Sequence, residues 1–366
     1  MLFHERYMAR ALQLAERGLF TTDPNPRVGC VIVKDDVIVG EGWHQWAGEA
    51  HAEVNALQDA GAKAEGADCY ITLEPCSHTG KTPPCVDALI KSGVNHVFVA
   101  MTDPNPLVVG NGIAKLKSAG IEVTVGLMQQ QAESLNPGFC QRMRLNRPFV
   151  RSKIAMSLDG RTAMVSGESQ WITGSAARLD VQKLRAQSSA IMTGIGTVLT
   201  DDPTLTVRPE GDWYPNNQTI RQPLRVVVDS QLRISEQARL FDNDGNVLVA
   251  TVVDSELSNN AKVLALPAKA DQVDLQALLA ELALDEINEV LVEAGAVLNG
   301  ALLREQLIDE LVIYMAPKLM GDDAKGIFHL PELKTMAQNI NLNITDIRAI
   351  GNDWRITAVP EYNERT

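Results

Sequence analysis

The stretch 51–85 organises the chain: it reads His51-Ala52-Glu53, then Pro75-Cys76, then Cys85. One imidazole and two thiols are a sufficient protein ligand set for a catalytic zinc, with the fourth position left to water. Zinc lowers the pKa of its water to about 7, so hydroxide is available at neutral pH. A carboxylate such as Glu53, close to the histidine in sequence, can shuttle protons between that water and a substrate. The competing reading is a structural zinc site or two buried thiols. A structural site wants four protein ligands, and the spare candidates nearby are Cys69 and His78. Cys69 sits in Cys69-Tyr70-Ile71-Thr72-Leu73, which reads as a buried strand, where free cysteine is common. His78 as a fourth ligand stays open.

The same ligand plan, with a glutamate that is not itself a ligand, belongs to the zinc nucleobase deaminases. Composition narrows the substrate. A net charge of -13 argues against a nucleic acid partner, and so against a polynucleotide deaminase. Small anionic substrates remain open if cationic side chains gather in one pocket. The five cysteines form no disulfide framework, and the Cys/His cluster reads as metal binding in a reducing compartment. The N-terminus lacks an apolar core of signal-peptide length, and no apolar run reaches transmembrane length. A cytoplasmic protein with no membrane span is expected.

At 366 residues the chain should hold two domains. Helical spacing of Met8, Ala11, Leu12 and Ala15 predicts a first helix that Gly18 can stop. Residues 28–33 read as a buried strand and 37–41 as its hairpin partner across Asp35-Asp36. A helix starts at His51 and is ended by Gly61, so ligand and carboxylate share a helix N-terminus. Strand 70–73 leads to Cys76. Pro84-Cys85 opens helix 86–91, with proline in the favoured first turn and a thiolate stabilised at the helix start. Strand 96–100, helix 113–119 and strand 122–125 complete an alternation that predicts a layered α/β domain. A polar, mostly helical stretch, 128–145, follows. Arg147-Pro148 looks like the boundary, giving domains 1–146 and 147–366. Beyond it, strands at 149–155, 190–193, 224–228, 246–251, 289–292 and 310–315, with a helix at 297–307, predict α/β again.

In the general deaminase pattern two residues separate the cysteines; here residues 77–84 do so. That longer loop, with Lys81, resembles the pyrimidine deaminases of riboflavin biosynthesis. Thr21-Thr22-Asp23-Pro24-Asn25-Pro26-Arg27 and Asp103-Pro104-Asn105-Pro106 look like that family's two Pro-Asn-Pro loops. Ser157-Leu158-Asp159-Gly160-Arg161 and Gly167-Glu168-Ser169-Gln170-Trp171-Ile172-Thr173 look like its reductase half. Over nearly its whole length the chain is similar to the bifunctional diaminohydroxyphosphoribosylaminopyrimidine deaminase / aminophosphoribosylaminouracil reductase family. The resemblance implies a cytidine-deaminase-like α/β/α domain followed by a dihydrofolate-reductase-like α/β domain. It implies zinc-dependent hydrolytic deamination of a diaminopyrimidinone carrying a phosphoribosylamino group, then reduction of ribosyl to ribityl by NADPH. Two rivals stand beside it. One is a single-activity deaminase with a non-catalytic C-terminal oligomerisation module; the other is a zinc-stabilised binding protein, against which Glu53 speaks. We expect a homo-oligomer, dimer or tetramer.

Turn residues such as Asp-Pro-Asn-Pro are commonly no more than turns. The resemblance implies instead that Asn25, His44, Lys81, Asp103 and Asn105 hold the substrate, with Lys81 a mobile point charge for phosphate. Thr193-Gly194-Ile195-Gly196-Thr197 is a weak dinucleotide signal, because Leu199 stands where a third glycine belongs. At 293–301 a strand runs into a helix whose free amides can cradle a diphosphate, or the stretch is simply a tight turn. The resemblance implies an NADPH site of Ala155, Trp171, Thr197, Asp201, Ser230 and the turn Gly295, Ala296, Val297, Leu298, Asn299, Gly300 and Ala301. For Trp171 the competing reading is a core residue. Asp201-Asp202 could merely cap a turn; the resemblance puts Asp201 beside the cofactor, where a carboxyl could assist proton transfer during reduction, and Asp202, next to it, is expected to point elsewhere and cap the turn. It also implies that Arg185 and Arg208 hold the substrate phosphate, for which the guanidinium fork is suited, and that Ser169, Leu205 and Glu293 complete the pocket.

Overall fold

In a computed structural model that describes residues 3–77, 84–106, 108–215, 220–242, 246–258 and 261–362, the chain divides into two units, Met1–Arg147 and Pro148–Thr366. The first contains α1 (Glu5–Glu16), β1 (Gly29–Lys34), β2 (Val37–Trp43), α2 (Ala52–Ala60), β3 (Asp68–Leu73), α3 (Cys85–Ser92), β4 (His96–Met101), α4 (Asn111–Ser118), β5 (Glu122–Val125), α5 (Gln129–Leu135) and α6 (Pro137–Leu145). Its sheet runs β2-β1-β3-β4-β5. β1 is antiparallel to β2 and β3, while β3, β4 and β5 are parallel.

Alternation at period two decides which face each side chain serves. Cys30, Ile32, Cys69, Ile71, Val97 and Val99 pack with Ala52, Ala56, Val86, Leu89 and Leu116 of α2, α3 and α4. The residues between them, Val31, Tyr70, Phe98 and Ala100, pack with Tyr7, Met8 and Leu12 of α1 and Ala132 of α5. Both faces are therefore apolar, and the strands read as nearly continuous hydrophobic runs. Helix α2 lies unusually close to the sheet. A Cβ on Gly42 of β2 would sit 2.3 Å from Ala56 N and 2.4 Å from Ala52 O. At its far end Gly61 closes α2 with φ 55°, the left-handed region that glycine tolerates. The 128–145 stretch is two helices, broken at Asn136-Pro137, because proline ends one helix and suits the first turn of the next.

The second unit contains β6 (Phe149–Ser157), β7 (Arg161–Ala163), α7 (Ser175–Gln187), β8 (Ala190–Gly194), α8 (Ile195–Asp201), β9 (Leu224–Val228), β10 (Val247–Thr251), β11 (Lys262–Ala265), β12 (Ala268–Lys269), β13 (Gln272–Val273), α9 (Leu275–Leu284), β14 (Glu289–Val292), α10 (Ala296–Arg304), β15 (Glu310–Ala316), β16 (Lys325–Gly326), β17 (Asn341–Ile350) and β18 (Asp353–Glu361). A nine-stranded sheet is ordered β11-β10-β9-β8-β14-β6-β15-β18-β17. The strands from β11 to β15 in that order are parallel, and β18 and β17 add an antiparallel edge. Helices α9 and α10 cover one face, and α7 and α8 the other. The chain passes from β6 to β8, outward to β11, and returns to lay β14 between β8 and β6. That reversal is where an open α/β sheet leaves a ligand crevice outside its strand C-termini.

Helices α7, α8 and α9 and the β17–β18 hairpin lie outside the expected elements. The sequence of α9, Leu275-Gln276-Ala277-Leu278-Leu279-Ala280-Glu281-Leu282-Ala283-Leu284, is apolar almost all round, so periodicity says little about it. Asp274 caps it, accepting from Gln276 N and Ala277 N. Among the described residues no helix is long and apolar enough to cross a membrane.

Candidate active sites

In the first unit, three elements that end at one edge of the sheet bring the zinc ligands together. His51 is the residue capping α2, Cys85 is the first residue of α3, and Cys76 follows β3. His51 Nδ1 lies 3.1 Å from Cys85 Sγ and 3.7 Å from Cys76 Sγ, and the three donor atoms lie within 4.8 Å of one another. Tetrahedral zinc, with bonds of about 2.0 Å to nitrogen and about 2.3 Å to sulfur, puts such atoms about 3.5 Å apart. The observed separations bracket that value, so the donors fit the ion in number, chemistry and spacing. The Cys85 amide, at the start of α3, donates to Cys76 Sγ at 3.3 Å. Cys76 is the more acidic thiol of the pair. A hydrogen bond from the Cys85 thiol, and next the contact with His51, bring it down to about 4 against the resistance of burial. Cys85 is shifted upward by that shared proton and then by burial.

Glu53 stands in the first turn of α2 and is 3% exposed. Burial pushes its carboxyl up to about 7, which suits a group that must both take and give a proton near neutrality. Cys69 is no ligand. Its sulfur faces Cys30 at 3.5 Å inside the sheet, as the buried-strand reading predicts. His78 and Lys81 lie outside the described residues.

Two of the loop residues arrive beside the ligands. His44, just beyond β2, is 2% exposed, and its ring stands edge-on to His51 with centroids 5.4 Å apart. Its Nδ1 is 3.1 Å from Ala50 O, a partner that can only accept. Nδ1 therefore carries the proton, and Nε2 is left to accept from Asn25 Nδ2 at 3.1 Å. Burial lowers the His44 pKa, which keeps the ring neutral. Asp103 and Asn105 follow β4, where Asp103 Oδ1 accepts from Asn105 N at 2.9 Å. That is a local turn bond, and the turn belongs to a segment that Glu74 grips.

In the second unit the residues expected near a dinucleotide gather at the C-terminal ends of the parallel strands. Ala155 is on β6; Thr197 and Asp201 are on α8, which follows β8; Ser230 follows β9; Gly295 caps α10 after β14. Gly295 and Val297 are exposed, whereas Leu298, Asn299 and Gly300 turn into the protein. Asn299 Oδ1 accepts from Ser152, and Asn299 Nδ2 donates to Ala294 O. Ser230 is nearly buried; its hydroxyl donates to Gln272 and accepts from Val273 N. Trp171 is not a core residue. It is 63% exposed, with the Arg178 guanidinium 4.7 Å from its ring centroid and Lys318 Nζ on its carbonyl at 2.7 Å.

The two expected anion anchors differ in exposure, although both bear on Glu293. Arg208 is exposed. Arg185 is buried and holds Glu293 through Nε at 2.6 Å and Nη2 at 3.0 Å, with Nη1 on Thr206 O. Burial works to raise the Glu293 carboxyl, but Arg185 and then Lys153 keep it below the usual range. Lys153 Nζ lies 3.9 Å from Glu293, and burial lowers its own pKa. Lys153 is absent from the sequence-based set. The available signal was a lysine inside an otherwise buried strand, since buried lysine is rare unless paired. Leu205 is buried with φ 49°, and Ser169 is half-buried. Asp201 is exposed at the end of α8, while Asp202 caps that helix and accepts from Arg239 N at 2.9 Å.

Residues 1–101 match the cytidine and deoxycytidylate deaminase zinc-binding region, and residues 148–356 match the RibD C-terminal domain. The riboflavin biosynthesis protein RibD of Escherichia coli (strain K12) is 54% identical over 357 residues, covering 95% of this chain and 97% of that protein. The Haemophilus influenzae protein of the same name is 48% identical over 368 residues, covering 97% of each. Among solved structures, Acinetobacter baumannii RibD (form 1) has a TM-score of 0.92 at 46% identity, covering 98% of this chain and 99% of that one. The Thermotoga maritima diaminohydroxyphosphoribosylaminopyrimidine deaminase / 5-amino-6-(5-phosphoribosylamino)uracil reductase has a TM-score of 0.87 at 33% identity, with the same coverage. Similarity of this depth over both units places the chain in the RibD family of riboflavin biosynthesis, as a bifunctional deaminase and reductase that uses zinc and NADPH.

Proposed function

We propose that the first unit deaminates a diaminopyrimidinone bearing a phosphoribosylamino group, and that the second reduces the ribosyl chain of the product to ribityl. The printed name of the Thermotoga maritima relative joins these two activities. The observation that carries the reading is the convergence of His51, Cys76 and Cys85, with Glu53 buried in the first turn of the helix that His51 caps.

His51, Cys76 and Cys85 hold the zinc. Bound there, the ion supplies Lewis acidity that brings the pKa of a water to about 7. Glu53 would take a proton from the water that attacks the amino-bearing ring carbon and give a proton to the departing ammonia. Asn25 and neutral His44, locked to each other and to Ala50 O, present a fixed polar edge to the pyrimidine. Asp103, Asn105 and Lys81 complete the substrate contacts. In the second unit NADPH supplies hydride. The free amides at the start of α10 would hold the diphosphate, and Gly295, Ala296 and Val297 are the residues there with solvent exposure. Ala155, Trp171, Thr197 and Ser230 shape the rest of that crevice, with Leu298, Asn299, Gly300 and Ala301 of α10 packed behind it. Arg208, with Arg185 behind it, faces the substrate phosphate, and Ser169, Leu205 and Glu293 line the pocket. Asp201 assists the proton transfers that accompany opening of the ribose ring; Asp202 is engaged with Arg239 N.

We infer a cytoplasmic homo-oligomer, dimer or tetramer, with no nucleic acid partner. The free cysteines suit a reducing compartment, and the charge of -13 repels polyanions. The hairpin of β17 and β18 exposes Leu342, Ile344, Ile347, Trp354 and Val359, and clustered exposed apolar residues mark association surfaces.

The test is sequential. The full chain, given the diamino substrate without NADPH, should release one ammonia per substrate, and NADPH added afterwards should then be oxidised. Oxidation of NADPH on the diamino compound before any ammonia appears would overturn the order proposed.

A further inference from the structure

Glu74 takes no part in the chemistry described above, yet its surroundings are unusual. It sits between β3 and Pro75-Cys76 and is 4% exposed. Its carboxylate accepts four backbone N–H groups from one distant segment. Oε2 accepts from Asp103 N at 3.1 Å and Gly110 N at 3.0 Å. Oε1 accepts from Gly112 N at 2.9 Å and Ile113 N at 3.3 Å. A carboxylate offers about four lone-pair sites, so its capacity is filled. The Glu74 main chain is anchored as well, its N–H donating to Met101 O at 2.9 Å. A Cβ on Gly112 would lie 2.2 Å from Pro75 O and 3.2 Å from Glu74 Oε1. Residues 103 and 110–113 are thus pressed against the two residues that precede the ligand Cys76.

Cys76 has its own ties to α3, through Val86 N on Cys76 O at 3.3 Å and Cys85 N on Cys76 Sγ. What the carboxylate fixes is the offset between Cys76 and the turn bearing Asp103 and Asn105. We propose that Glu74 is a positioning residue for deamination: it holds the substrate-contacting turn at 103–105 in register with the metal ligands. This rests on the reading that Asp103 and Asn105 contact the substrate. A side chain that fixes such an offset acts on substrate binding through geometry, where small misplacements are costly.

The test uses the full chain loaded with zinc. Glu74→Gln keeps the shape but turns one oxygen into an NH2 that faces two N–H donors. Gly112→Ala crowds the same contact, at Pro75 O and the Glu74 carboxylate, without changing residue 74. Both variants should keep one zinc per chain and normal reduction of pre-deaminated substrate, with the deaminase KM raised about tenfold or more and kcat nearly unchanged. Asn105→Ala should raise KM alone and add little when combined with either variant. Either variant with a wild-type KM overturns the proposal, as does loss of zinc and kcat at constant KM, which would make Glu74 a structural prop. If Glu74→Gln raises KM while Asp103→Ala and Asn105→Ala do not, the turn is not the substrate contact and the proposal falls with that reading. Should Glu74→Gln fail to fold, Gly112→Ala decides.

Discussion

Replacing Gly42 by alanine should cost the deaminase about two orders of magnitude while sparing the reductase. The added Cβ would lie 2.3 Å from Ala56 N and 2.4 Å from Ala52 O, whereas ordinary contact begins at 3.4 Å. Both obstacles are backbone, so no side chain can swing aside, and α2 must retreat from β2 by about 1 Å. Its first turn carries His51 and Glu53, while Cys76 and Cys85 belong to other elements. The retreat therefore opens the spacing between His51 Nδ1 and the two sulfurs, now 3.1 and 3.7 Å, and shifts the proton-transferring carboxylate by the same amount. A displacement of about 1 Å in a catalytic arrangement costs about 10²-fold in rate. Overpacking of this kind costs about 1–3 kcal/mol of stability, less than the roughly 5–15 kcal/mol that a domain commonly has, so the unit should still fold. Ammonia release and zinc content are measured on the full chain, with reduction of pre-deaminated substrate as the internal control. A Gly42→Ala enzyme that holds its zinc and releases ammonia within about threefold of the parent would refute the reasoning.

Three further outcomes are expected. Glu53→Gln should retain zinc, fold and reductase while losing about 10²–10⁴-fold in deamination; near-normal ammonia release would remove Glu53 from the chemistry. Asp201→Asn should lose far more reductase turnover than Asp202→Asn, with deamination unchanged in both, because only Asp201 is free of the Arg239 amide contact made by its neighbour; equal turnover would leave Asp201 at most a binding residue. Arg151→Met should destabilise the second unit. Arg151 is buried on β6 between Glu289 of β14 and Glu310 of β15, and breaking such a group costs about 3–5 kcal/mol. A urea midpoint for loss of reductase activity that does not move would show that the two carboxylates find other compensation.

The deaminase site was legible because its signals are local. A cap position followed by an apolar helical pattern puts His51 and Glu53 together, and proline before Cys85 announces a second helix start. Continuous apolar runs such as Cys30, Val31, Ile32 and Val33 identify strands buried on both faces. Glu74 shows where that reading stops. Nothing within a few residues of it indicates that its carboxylate will collect amides from Asp103, Gly110, Gly112 and Ile113. The same is true of Arg185 and Glu293, which meet across 108 positions. The resemblance implies a phosphate-holding role for Arg185, and in this structure its three guanidinium nitrogens bond Glu293 and Thr206. Chemistry alone could not show that the fork already had partners.

The cofactor crevice was less legible for a geometric reason. The expected contact run 295–301 is contiguous in sequence, but α10 begins inside it, and a helix turns its residues through about 100° at each step. Consecutive side chains on a helix cannot all face one ligand. Accordingly Gly295 and Val297 look outward, Leu298 joins the core, and Asn299 spends its amide on Ser152 and Ala294. Gly300 needs its missing side chain for a different neighbour, since a Cβ there would lie 2.2 Å from His329 O. What such a run can offer a diphosphate is its first free backbone amides, which lie near the helix start whatever the side chains do. The two glycines therefore have separate duties. Substituting Gly300 should disturb the packing of α10 against the 329 region, whereas Gly295, with open space around its missing Cβ, should accept alanine without a clash. Adding Cβ at Gly295 should therefore perturb NADPH binding more than folding, and adding it at Gly300 should do the reverse. Urea unfolding alongside NADPH titration of the two alanine variants separates these effects, and equal losses of stability would contradict the assignment.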